Sequence, residues 1–260
     1  MARTWDAVPL AAPAQIRSIH IGNLVQVLRL GWRDFQRIPT QLAFLCLIYP
    51  VVGLVMARAA SGSDLLPLLY PMLSGFALVA PIAALGIYEL SRRIEAGETP
   101  RWQDMFAVLR APALGSIIGL SLLLLAVFAG WLWAAKGLWY VIMEGQAPGS
   151  LSELVRMATG TRQGLTLLVA GNALGAVFAV LVLGMTAISF PMMLDRGATL
   201  GEAVRTSMEA LVRNPTVMLA WGAIVAVLLA AGMALLFVGL AVVLPVLGHA
   251  TWHLYRRLVG

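Results

Sequence analysis

The chain has 260 residues, of which 60% are hydrophobic and 12% charged, and a net charge of +6. A soluble domain carries about 25% charged residues, and half that supply cannot coat a water-exposed surface; with a mean hydropathy of +0.88 the composition reads as an integral membrane protein. The 25 Gly and 13 Pro are scattered without a three-residue period, which excludes a collagen-like chain, and the single Cys46 excludes an internal disulfide and a cysteine-cluster metal site.

In chain order, a flexible tail (1–15) precedes an amphipathic segment in which Leu24, Leu28, Trp32 and Phe35 are apolar neighbours and Asn23 with Gln26 suggests a loose capping pair. A first charge-free run, 40–57, follows. The second, 65–88, carries Ser74-Gly75 and Pro81, residues able to kink a helix. Thr99-Pro100 then resembles a helix start, with a capping hydroxyl before a proline at the first helical position, and Trp102, Met105, Phe106 and Leu109 are apolar neighbours beyond it. The third run is 111–135. An insertion at 136–162 holds Ser150 and Glu153, which predict a short capped helix to about Met157. Trp131, Trp133, Trp139 and Tyr140 cluster at its start, as an interfacial aromatic belt or as part of a binding loop. The fourth run, 163–194, contains Asn172, read as a bond to another helix. A third amphipathic segment opens on the capping pair Thr199 and Glu202. The last run, 214–255, has 42 residues and is too long for one span, because a bilayer core of about 30 Å needs only ~20 helical residues. Gly232 and Gly239 bracket the expected reversal.

The prediction is therefore an all-α membrane protein with six transmembrane helices in a single domain, 1–260. Three degenerate repeats are expected (16–91, 99–196 and 199–257), each an interfacial amphipathic helix followed by a transmembrane hairpin. Each amphipathic segment ends at Arg-x-Pro: Arg37-Ile-Pro39, Arg110-Ala-Pro112 and Arg213-Asn-Pro215. These segments serve either as membrane-surface elbows or as partner-docking helices. Placing both termini in the cytoplasm leaves only Arg58, Lys136, Arg156 and Arg162, of 18 Lys and Arg, on the opposite side, where the 136–162 insertion falls. No cleavable signal peptide is visible, so the first span is read as a signal anchor in a bacterial cytoplasmic membrane. The arginines flank spans rather than gather on one soluble face, so nucleic acid is not an expected partner; the bilayer is, with a membrane-protein partner or a second copy of the chain.

Residues that could carry chemistry sit at the ends of the even-numbered helices. Measured from Pro81, Pro191 and Pro245, Glu89 stands at +8, Asp195 at +4, and His249 and His253 at +4 and +8. These offsets differ by one helical turn, so the residues repeat on one face, and two carboxylates with two imidazoles form the candidate polar site. His249 and His253 have the spacing of a metal pair on one helix, yet the residue after the first histidine is Ala250 rather than the glutamate of a zinc peptidase. A proton relay and plain interfacial hydrogen bonding stay open for the pair. No cofactor is expected. Gly115 with Gly119, and Gly171 with Gly175, have the spacing of close helix contacts. No phosphate-binding loop, dinucleotide-binding glycine signature or serine-nucleophile elbow is present.

The segments Leu30-Gly31-Trp32-Arg33-Asp34, Gly75 to Pro81, Tyr88-Glu89-Leu90-Ser91-Arg92-Arg93, Leu194-Asp195-Arg196 and Leu244 to Arg256 resemble a bacterial family of "predicted integral membrane proteins", a domain of unknown function numbered two-one-eight-nine. The resemblance covers most of the chain from about residue 15, with Gly248-His249-Ala250-Thr251-Trp252-His253 as its most specific part. It implies a multi-helix inner-membrane protein and supplies no activity or catalytic residues. Some relatives resemble, by label, a haem–copper oxidase subunit; that core implies six histidine ligands, and this chain has three histidines. The functional expectation is a non-enzymatic accessory, assembly or scaffold protein. The alternative is a small transporter or channel using the polar site at the cytoplasmic ends of helices two, four and six.

Overall fold

A computed structural model describes residues 15–38, 40, 66–235 and 237–260. The expected first span at 40–57 lies outside the described residues, apart from Thr40. Among the described residues the fold is all helical, with no strand beyond one antiparallel bridge between Ile16 and Val259.

Helix α1 (Gly22–Arg37) buries Leu24, Val27, Gly31, Asp34 and Phe35 along one stripe. The expected capping pair does not form: Asn23 Oδ1 accepts from the His20 amide instead. A 3-10 turn at Leu66–Leu68 leads into α2 (Leu69–Ala83), and α3 (Leu85–Glu95) follows after a single residue. The break at Ala84 falls three residues after Pro81, whose ring removes an amide donor from the ladder. The second amphipathic segment is a 3-10 helix, Trp102–Arg110. It starts later than Thr99-Pro100 suggested, because Asp104 reaches back to accept from the Arg101 amide at 2.7 Å.

Helix α4 (Leu114–Ile142) continues through Lys136, so the insertion begins as an extension of the span rather than as a loop. The short helix α5 (Leu151–Gly160) has the expected cap, Ser150 Oγ accepting from the Glu153 amide. Helix α6 (Arg162–Thr186) runs almost directly into α7 (Ser189–Arg196), interrupted at 187–188, where Ser207 Oγ takes the freed Ile188 amide. Gly197, at φ 65°, turns the chain out of α7. Thr199 then caps α8 (Leu200–Arg213), and Pro215 opens α9 (Pro215–Ala234). The chain reverses where expected: an added side-chain carbon on Gly239 would lie 2.8 Å from Gly232 Cα. Helix α10 (Leu240–Leu258) returns.

Among the described residues, three helical stretches are long and apolar enough to cross a membrane: Leu114–Ile142, Arg162–Arg196 and Pro215–Ala234. Only 22, 11 and 28% of their most apolar windows are buried within the chain, so their outer faces, such as Leu122, Val169 and Val227, need lipid rather than water. The α2–α3 and α10 segments fall short of that criterion. The first is split at Ala84, and the second carries His249, His253, Arg256 and Arg257 in its later half. The core lies between these elements, centred on Trp221, Trp252, Tyr255, Phe190 and Ile87.

The close glycine contacts fall mostly away from the expected pairs. A side-chain carbon at Gly115 would meet nothing within 4 Å, and those at Gly119 and Gly171 would make ordinary contacts with Leu200 and Leu138. Gly175 packs more tightly, 3.3 Å from the Trp131 ring. A close approach between helices distant in sequence is at Gly31, where an added carbon would stand 2.7 Å from Ala250 N and Val246 O, so α1 lies directly on the backbone of α10.

Candidate functional site

The polar residues gather in one layer at one end of the bundle, built by α1, α3, α7 and the last turns of α10. Glu89 sits within α3 one turn before Arg92 and Arg93, the spacing at which a glutamate meets a following cation. Its carboxylate is fully buried. It accepts from Arg92 Nε and Nη2, each at 2.8 Å, and from Arg93 Nε at 2.8 Å. These bonds hold the Arg92 guanidinium above its ordinary pKa against the partial burial that would lower it, and the fields of Glu98 and Asp195 add to the effect. Arg93 also spans to Asp104 at 3.4 Å and to Glu98 at 3.6 Å, tying α3 to the 3-10 helix.

Asp195 ends α7 facing α10. It accepts from the Tyr255 hydroxyl at 2.5 Å and from Arg256 Nη1 at 3.0 Å. Arg256 turns its Nε to Glu95 at 2.9 Å, and the other Glu95 oxygen accepts from Trp252 Nε1 at 2.9 Å. A continuous chain of bonds thus runs from α7 through α10 to α3.

The two histidines share a face of α10 but serve different neighbours. His253 Nε2 lies 2.7 Å from Asp34 Oδ2 of α1, and Asp34 is itself buried. His249 Nδ1 lies 2.7 Å from Ser91 Oγ of α3. His249 is fully buried and its Nε2 has no hydrogen-bond partner. The four expected residues therefore stand in one layer without bonding to one another. Each is matched to partners that the proline offsets did not single out: Glu89 to Arg92 and Arg93, Asp195 to Tyr255 and Arg256, His249 to Ser91 and His253 to Asp34. Asp34 had a signal in the sequence, since it falls on the stripe of α1 that continues Leu24, Val27 and Gly31. Ser91 and Glu95 are one turn apart on the face of α3 turned to α10, a relation that needs the tertiary structure to be seen.

Among the described residues no three or more His, Cys, Asp or Glu side chains are placed to hold a metal ion. His253 Nε2 is taken by Asp34. Outside the layer, Asn172 accepts from the Tyr70 hydroxyl at 2.9 Å, bonding α6 to α2 as the sequence suggested. The aromatic group divides: Trp131 is buried and donates to the Pro71 carbonyl, while Trp133 and Tyr140 are exposed.

An all-helical fold that has, among the described residues, three apolar helices with outward-facing greasy surfaces is that of an integral membrane protein. Residues 69–195 match the family described as "predicted integral membrane protein", domain of unknown function 2189. The expected resemblance holds over that stretch, which includes Glu89 and Asp195; the segment from Leu244 to Arg256 lies beyond it. No curated protein and no solved structure matches the chain.

Proposed function

We propose that this is a non-enzymatic accessory, assembly or scaffold protein of a bacterial inner membrane, with six spans in three degenerate repeats and both termini in the cytoplasm. The reading is carried by one observation: each acid in the polar layer is already engaged. Glu89 is held by two arginines, Asp195 by Tyr255 and Arg256, Glu95 by Trp252 and Arg256, and Asp34 by His253. A general acid or base has to exchange protons with a substrate, and a transport site has to release what it binds. Carboxylates locked in charge-assisted bonds to neighbouring helices serve instead to fix the helices against each other. The positive-inside bias supports the orientation, and the three Arg-x-Pro junctions support the repeat.

The experiment is recovery of the tagged chain from its native membrane in mild detergent. A membrane-protein partner in fixed stoichiometry, retained through size exclusion, is the expected result. A second reading, a small transporter, is favoured by the unpartnered His249 Nε2. Solute flux in proteoliposomes that is lost in Glu89→Gln or Asp195→Asn, from a chain that purifies without a partner, overturns the scaffold reading in its favour.

A further inference from the structure

A cleft of about 360 Å³ runs between α6, α9, α10 and the α2–α3 break, within the ~300–1,000 Å³ range of small-ligand sites. It exists because small residues meet there: Ala176 and Ala179 on α6, Gly222, Ala223 and Ala226 on α9, and Gly248 on α10. The break after Pro81 widens it from the fourth side. Its α9 wall extends from Leu219 to Leu229, about 15 Å along the helix at ~1.5 Å per residue, which is the depth of one leaflet of a ~30 Å hydrocarbon core.

Two features identify the occupant. First, the lining offers almost nothing to a polar solute. The Thr186 and Thr251 hydroxyls donate to the Val182 and Leu247 carbonyls of their own helices. Second, the cleft is continuous with the outer surface of two candidate spans: Val180 of α6 and Leu219 of α9 belong both to its lining and to the exposed apolar face. The medium against that face is hydrocarbon. We propose that the cleft holds one acyl chain of a bilayer phospholipid, lying along α6 and α9 with its polar end toward Tyr88 and Thr251, beside the charged layer. The site goes beyond the scaffold reading and stands whether or not that reading holds, because it depends only on α6 and α9 crossing the membrane.

The test uses the full chain in liposomes of phosphatidylcholine bearing a diazirine on one acyl chain, with photo-adducts mapped by peptide mass spectrometry. Adducts concentrated on Ala179, Ala223 and Ala226, above those on the outward Val169 and Val227, are expected. Ala179→Phe and Ala223→Phe fill the cleft and lower the inner adducts roughly tenfold while leaving the outward ones unchanged. Adducts confined to the outward positions of the unmodified chain overturn the proposal, a result that requires no variant to fold. Recovery of a different apolar molecule in solvent extracts, with no acyl adducts in the cleft, overturns it as well.

Discussion

Replacing Glu89 by Gln keeps the shape of the side chain and removes its charge. The buried carboxylate receives three bonds of 2.8 Å from two guanidinium groups. Bonds to a charged group contribute about 1.5–3 kcal/mol each and neutral ones about 1 kcal/mol. The amide also turns an NH2 donor toward guanidinium donors, so at least one bond is lost outright. Breaking a fully buried pair costs about 3–5 kcal/mol. Here Arg92 and Arg93 remain 29 and 25% exposed and recover some hydration, and Arg93 keeps Asp104 and Glu98. The expected loss is therefore about 2–3 kcal/mol. Reversible unfolding by SDS in mixed micelles, followed by far-ultraviolet circular dichroism, measures it. A cycle with Arg92→Gln should show coupling of about 1 kcal/mol or more. A loss below about 0.5 kcal/mol, or strictly additive single variants, would refute the assignment of Glu89 as a helix-fixing group.

Gly31→Ala places a carbon against the backbone of α10 and should destabilise by about 1–3 kcal/mol in the same titration; Gly115→Ala, where nothing lies within 4 Å, should be neutral or slightly stabilising. Tyr255→Phe deletes the hydroxyl bonded to Asp195 and should cost about 1–2 kcal/mol, with Arg256→Gln adding less than its single effect because both donate to Asp195 Oδ2. Reporter fusions should place positions 97 and 260 in the cytoplasm and position 147 outside it; a cytoplasmic readout at 147 would remove the proposed hairpin of the second repeat.

The fold was legible in the sequence wherever a local signal decided the matter. Absence of charge located α4, α6 and α9, and the Gly232–Gly239 reversal followed from two residues that allow backbones to touch. The hydroxyl caps at Ser150 and Thr199 were equally local. Helix interruptions were less visible. Pro81 marked one break, but the interruption at 187–188 depends on Ser207 supplying an acceptor from another helix. The polar layer was legible as a set of positions and not as a set of bonds. Spacing by one turn places Glu89, Asp195, His249 and His253 at a common height, which is what a helical period can report. Which partner each takes is set by the crossing of α10 over α1, α3 and α7, and Gly31 and Gly248 govern how near those crossings come. A Cβ at Gly248 would strike Ile87, two residues before Glu89, so small residues on α1 and α10 set the reach of the bonds that the polar residues then make.

The bonds themselves assign an unequal role to the last helix. Asp34, Ser91, Glu95 and Asp195 arise on three helices well separated in sequence, and their tertiary partners, His253, His249, Trp252, Tyr255 and Arg256, all lie within two turns of α10. A buried carboxylate such as Asp34 is costly until its partner arrives. Helices α1, α3 and α7 are thus held at fixed spacing by one short stretch of α10. Near the membrane surface such a device stabilises more than the same pairs would in water, because competing hydration is reduced. It also gives α10 two roles: residues from His249 to Arg256 lock the layer, while Leu244, Leu247, Gly248 and Thr251 line the cleft. Whatever occupies the cleft therefore rests against the helix that holds the polar layer together, and packing in the one bears directly on geometry in the other.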